Sequence, residues 1–222
     1  RGLGDVYKRQ RGYSVKSVYH EIIGTTGYIR ITSFYENTAT QCQEALDALA
    51  KENIKSIVVD VRNTSEGMME YAAKVIDLFV PLATEGNKAI ALAVNKKGDT
   101  VETFTSDAKD YAGQICVLVN RNTQGPAELF ACDLRDFDKA QLIGEITKGN
   151  GKRQQVFNLS DGGAIVLTTA SILPYKSESF DGVGVAPDVE VALTQEQLEQ
   201  LEILPHDQDA QLQKALEMLS GV

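Results

Sequence analysis

A chain of 222 residues, 43% of them hydrophobic, is long enough to bury a substantial core as one domain, or as one domain with a small appendage. Its net charge of −9 repels phosphate backbones, and with no Trp and only 7% aromatic residues it offers no stacking platform, so nucleic acid is excluded as a partner. No apolar run reaches bilayer-spanning length, and three cysteines without CxxC spacing indicate neither a disulfide framework nor a zinc site.

Residues 1–10, RGLGDVYKRQ, read as the translation of a sequencing adapter and are set aside. Without their three basic residues and one acidic residue the net charge becomes −11, so the acidic conclusion stands. GYIRITSF (27–34) alternates apolar and polar residues and predicts a strand. Asn37 and Thr38 are helix-capping types, and behind them Cys42, Ala45, Leu46 and Leu49 recur at helical spacing through Lys51. SIVVDV (56–61) is short and nearly all apolar, as in a strand buried on both faces. The loop RNTSEG (62–67) leads into a second helix, Met68 to Phe79, with Ala72, Val75, Ile76 and Phe79 on one side. Strand alternating with helix predicts an α/β architecture with parallel pairing.

PLATEGN (81–87) punctuates the chain. KAIALAVN and TVETFTS flank a Lys97-Gly98-Asp99 turn and predict a hairpin. QICVLVN (114–120) predicts another buried strand. NTQGPAELFACDLRDF (122–137) then reads as a turn opening into a helix, with Gly125 as cap and Pro126 in the first turn. QLIGEIT (141–147) predicts a strand, and QQVFNLS with AIVLTTASIL a second hairpin around Asp161-Gly162-Gly163. From about residue 194 to 222 the tail splits into two charged helical segments, TQEQLEQL and DAQLQKALEML.

In α/β sheets, chemistry gathers where strand ends meet loops and helix starts, which selects the loops after Val61 and after Asn120. The second ends in a helix N-terminus, a natural site for an anion or oxyanion. His20 and His206 lie in peripheral segments and read as solvated. Asp133, Asp136 and Asp138 read as a solvated helix end without the pattern of a calcium loop. GEITKGNGK (144–152) lacks phosphate-loop spacing and precedes a strand. No cofactor and no metal site is indicated.

Several segments in continuous order resemble the protease domain of the C-terminal processing peptidases, or tail-specific proteases. GYIRITSFYENTATQCQEALDAL is similar to the opening strand and helix of that family, and SIVVDVRNTSEG to its DLRNNPGG segment. VLVNRNTQGPAELFACDLRDF is similar to VLVNxxTASASEIxAGALxD, LIGEITKGNGKRQ to LxGExTFGKGxxQ, and GVGVAPDVEV to GxGIxPDxxV. The resemblance implies a ClpP/crotonase-like α/β fold with hairpin additions over residues 11–222. It also implies a PDZ peptide-binding domain upstream or inserted, which this stretch does not show, and an extracytoplasmic location.

The family is a serine protease with a Ser-Lys dyad, in which the serine attacks a peptide carbonyl and a neutral lysine takes its proton. Carried over residue by residue, the nucleophile's place falls on Gly125, the lysine's on Asn150, and the orienting glutamine's on Gln154. The oxyanion donors fall on Glu66-Gly67 and on Pro126, which has no N–H. The resemblance therefore leads to an inactive member that holds extended peptides or protein C-terminal segments, or serves an active relative. The alternative is a shifted dyad of Thr123 and Lys148, which keep the family's 25-residue separation. ClpP/crotonase-like scaffolds also host acyl-CoA chemistry, against which the acidic charge and the missing phosphate site argue.

Overall fold

The computed structural model describes residues 15–81, 89–106 and 110–220. The adapter-like residues 1–10, and all of PLATEGN except Pro81, lie outside the described residues. Six strands form one sheet in the order β1 (Val18–Ile23), β2 (Thr26–Ile31), β3 (Ser56–Asp60), β6 (Gln114–Val119), β7 (Ala140–Gly144) and β10 (Val189–Glu190). β2 through β10 pair in parallel, and β1 closes one edge in antiparallel register with β2. The parallel α/β reading is therefore what the chain forms.

The two faces of β3 show why SIVVDV is nearly all apolar. Ile57 and Val59 enter a large core with α1 (Thr38–Lys51), α2 (Met69–Ile76) and α3 (Pro126–Asp136). Val58 points the other way, into a smaller core with Leu212, Ala215 and Leu219 of α5 (Ala210–Ser220). A strand buried on both faces has no polar side to alternate with. α1 has the predicted limits, but Asn37 at its N-cap makes no capping bond and its amide donates to Val15 O at 3.0 Å. α2 stops at Ile76, after which i→i+3 bonds from Leu78 to Val75 and from Phe79 to Ile76 tighten the chain. Ala72, Val75, Ile76 and Phe79 are all buried, as their spacing predicted.

The two predicted hairpins merge into a second sheet, in the order β5 (Thr100–Thr105), β4 (Ala89–Val94), β9 (Ala164–Leu173), β8 (Lys152–Asn158). β8 is an edge strand, and its hairpin end is solvent-exposed. The tail holds a short α4 (Gln195–Glu199), with no buried residue, before α5. β1 and β10 went unread in the sequence. β1 is an edge strand exposed along most of its length and β10 has two residues, so neither carries a hydrophobic period. Among the described residues no helix is long and apolar enough to cross a membrane.

One expectation is overturned. Asp133 and Asp136 are not solvated: both are buried, while Asp138 is exposed. Residues 174–177 cross over the end of α3 and turn their backbone donors inward. Asp133 accepts the Tyr175 N–H at 3.0 Å, and Asp136 accepts those of Lys176 and Ser177 at 2.9 and 2.7 Å. Asp133 Oδ2 is buried without a partner, and burial pushes this carboxyl well above its ordinary 3.8. A folded-state pKa above the unfolded one gives stability that is full below 3.8 and is lost as pH rises through the folded value. Asp133→Asn keeps the acceptor for Tyr175 and removes the titration. Urea denaturation is expected to show the variant gaining on the natural chain as pH rises from 4 to 8; a pH-independent difference would contradict the burial argument.

Candidate functional site

The loops after β3 and β6 lie side by side at the carboxyl edge of the sheet, because their strands are parallel neighbours. Asn120 joins them: its Oδ1 accepts the N–H groups of Asn63 and Asn122 at 3.0 and 3.1 Å, and its Nδ2 donates to Asn63 Oδ1 at 2.8 Å. The Gln124 N–H donates to Thr64 O at 2.9 Å. These bonds hold Gly125 in the wall of a cleft of about 340 Å³, which Gly67, Met68, Pro126, Asn150 and Gln154 also line.

Gly125 caps α3 with φ +62° and ψ −114°, a conformation that L side chains rarely adopt. A Cβ built there would find its nearest neighbour, Asn150 O, at 3.9 Å. Space for a side chain therefore exists above this turn, and the chain places none in it. The start of α3 also offers little to an oxyanion. Pro126 has no N–H, Ala127 N donates to Gln124 O at 3.3 Å, and Glu128 N donates to Gly125 O at 3.0 Å.

Gly67, across the cleft, is fixed by its pairing with Phe34. Phe34 N donates to Glu66 O at 2.9 Å and Met68 N donates to Phe34 O at 3.0 Å, so Gly67 bridges Phe34 in parallel register. The alternation of that ladder turns the Gly67 N–H away from Phe34. A Cβ on Gly67 would lie 2.2 Å from Phe34 O, so the position admits only glycine.

Glu128 organises the site. Its carboxylate is fully buried and accepts four donors: the Thr147 hydroxyl, and the N–H groups of Gly149, Asn150 and Gly125 at 2.6, 2.7 and 2.9 Å. Three of these come from the segment carrying Asn150, so one carboxylate holds the Gly125 turn against the Asn150 loop. Sequence reasoning passed over Glu128, although a glutamate three residues after a helix cap is the spacing of half a capping box.

The sequence profile described as peptidase family S41 matches residues 25–191. The chain belongs to peptidase family S41. It is 31% identical over 198 residues to the carboxyl-terminal-processing protease of Synechocystis sp., covering 89% of this chain and 44% of that protein. A probable CtpA-like serine protease of Staphylococcus epidermidis is 29% identical over 191 residues, 85% of this chain and 38% of the relative. The S41 chain thus spans less than half the length of either relative. Among solved structures, a photosystem II D1 C-terminal processing protease superposes with a TM-score of 0.71 at 25% identity, covering 94% of this chain and 53% of that one. A putative S41 protease from Bacteroides fragilis superposes with a TM-score of 0.73 at 20% identity, over 94% and 59% of the two chains, which shows the shared fold alone.

Other residues singled out in this S41 chain fall as follows. Glu66 is exposed and accepts the Tyr35 hydroxyl at 2.5 Å, a bond that, with slight burial, raises the Tyr35 pKa. Ser65 and Gly67 line the cleft beside it. Thr123 is fully buried: its hydroxyl donates to Val61 O at 3.0 Å and accepts the Asn120 N–H at 3.0 Å. Lys148 is exposed, and its backbone N–H donates to Thr123 O at 3.0 Å. His20 and His206 are exposed. Cys42, Cys116 and Cys132 are buried free thiols, pushed up by burial to about 12, 11 and 12, too high to act as thiolates. Among the described residues no cluster of three His, Cys, Asp or Glu is placed to hold a metal ion.

Proposed function

We propose that this S41 domain has lost peptide-bond cleavage and keeps the cleft as a holding site for extended peptides or protein tails. The observation that carries the reading is Gly125: a helix cap lining the cleft, with room for a nucleophile and no side chain to be one. Asn150 at the general base's place has an amide, which takes up no proton near neutral pH. Pro126 removes an oxyanion donor, and such a loss costs about 3 kcal/mol in the barrier. The buried, doubly bonded hydroxyl of Thr123 speaks against the shifted dyad, since it has no line to a carbonyl in the cleft. We place the domain outside the cytoplasm, and count an active relative among its partners, on the family resemblance.

The test offers β-casein and fluorogenic peptides to the natural chain, to Thr123→Ala, and to a Gly125→Ser plus Asn150→Lys double variant. The natural chain is expected to leave every substrate intact. Serine fits the space at 125 but bears the strain of a positive φ, about 1–3 kcal/mol, so the double variant is expected to cleave weakly if at all. Robust cleavage by the natural chain that persists in Thr123→Ala would refute both the inactive reading and the shifted dyad.

A further inference from the structure

The hairpin of β8 and β9 runs out beyond the rest of its sheet. β9 pairs with β4 only through Ser171, Ile172 and Leu173. Further out, Gln154 to Asn158 pair with Ala164 to Thr168 and, among the described residues, with no third strand. A ribbon of two strands is marginal in water and needs a further strand or a covered face.

The two faces of this ribbon differ. Residues opposite one another in an antiparallel ladder share a face, and successive residues alternate between faces. Gln154, Val156 and Val166 line the cleft. The other face is built from Phe157 opposite Ile165 and from Leu167 opposite Gln155. Leu159 extends it, with its N–H donating to Gly163 O at 2.8 Å. Phe157, Leu159, Ile165 and Leu167 are 43%, 49%, 42% and 46% exposed, so four large apolar side chains stand together in water.

Charge decides what can cover them. The chain is 24% charged, yet from Gln154 to Leu173 the one charged residue is Asp161, in the turn. Edge strands usually carry charges that keep other strands away, and β8 carries none past Arg153. Two copies of a chain at −9 repel one another over most of their surface. At this face they meet without setting carboxylate against carboxylate. The same lack of charge leaves an acidic or basic partner nothing to pair with. The complementary surface is apolar, uncharged and one ribbon wide, and a second copy supplies it.

We infer that this face is a self-association surface, on which Phe157, Leu159, Ile165 and Leu167 pack about a two-fold axis against the same residues of a second copy. Phe157 has the largest side chain of the four and is the anchor. The surface lies on the far side of the ribbon from the cleft, so it is independent of whether the cleft cleaves or holds peptides. A second copy there braces the wall that Val156 and Val166 give to the cleft.

Sedimentation of the intact chain from about 1 to about 200 µM reads the association. A monomer–dimer equilibrium is expected, and it should tighten as salt rises, because salt screens the repulsion between acidic copies and leaves the apolar contact. Phe157→Lys and Ile165→Lys are each expected to weaken the dimer about tenfold or more. Ile203→Lys, at a residue 79% exposed in the tail, is expected to leave it unchanged. Circular dichroism checks that each variant folds. Leu167→Cys gives a second measurement that keeps the face apolar. The three natural cysteines are buried, so the added thiol is the one a short bis-maleimide reaches, and it is expected to be captured as a covalent dimer. A chain that stays monomeric throughout the range, a dimer that survives both ribbon lysines or loosens with salt, or a Leu167→Cys chain that is not captured overturns the inference.

Discussion

Replacing Arg62 with leucine is expected to cost about 3–5 kcal/mol of unfolding free energy. Arg62 is 2% exposed and stands between two buried carboxylates. Its Nη2 donates to Asp60 Oδ2 at 2.6 Å and to Asp209 Oδ2 at 2.7 Å, and its Nη1 donates to Asp209 Oδ1 at 3.0 Å and to Gln211 Oε1 at 2.9 Å. Leucine would fill part of the volume and leave Asp209 buried beside the first turn of α5 without its cation. Asp60 would keep Arg30, at 2.8 Å, and the Tyr28 hydroxyl, at 2.7 Å.

The same network makes acid destabilising. Burial alone would push the Asp60 carboxyl up, but the Arg62 and Arg30 guanidiniums, with the Tyr28 hydroxyl, hold it well below the usual carboxylate range. A folded pKa below the unfolded 3.8 gives stability that is present above 3.8 and is lost as pH falls toward the folded value. Urea denaturation at neutral pH measures the Arg62→Leu loss, and a scan from pH 5 downward measures the linkage. A loss under 1 kcal/mol would show that the network does not tie α5 to β3.

Glu128→Ala is expected to cost about 3 kcal/mol or more, because it strands four donors that share one buried carboxylate. The damage should be local as well as global. Amide hydrogen exchange at Gly149 and Asn150 is expected to accelerate far beyond the change in overall stability, since those N–H groups lose the carboxylate that accepts them. Glu128→Gln keeps the shape and, with its NH2 in the place of Oε1, faces the Gly149 N–H and the Thr147 hydroxyl, which can turn away, so a smaller loss of about 1–2 kcal/mol is expected. Unchanged exchange at Gly149 and Asn150 in the alanine variant would mean that Glu128 does not hold the loop. Loss of peptide binding in the same variant would follow from a widened cleft, and Glu128→Gln would then recover part of it.

Periodicity carried most of the fold. α1 follows from Cys42, Ala45, Leu46 and Leu49; β3 follows from the short, nearly all-apolar run SIVVDV; and the two hairpins follow from their turn residues. Where the reading fell short, the signal was absent from the local sequence. Asp133 and Asp136 look like any solvated helix end until residues 174–177 cross over them. Lys152 and Arg153 precede the predicted strand QQVFNLS, and nothing local shows that they line the cleft.

By itself, the amino-acid sequence determined which atoms the site can contain: no hydroxyl at Gly125, no amine at Asn150 and no N–H at Pro126. It also determined the elements whose residues interact within a turn of helix or a pair of strands, because steric and hydrophobic periodicity act at short range. Only the tertiary structure decided which of the many carboxylates would be buried and what would bind them. Glu128 meets Asn150 across 22 residues, and Arg62 meets Asp209 across 147. At those separations the chain's own stiffness says nothing, and the partner is chosen by the sheet order and by the need to satisfy every charge taken out of water.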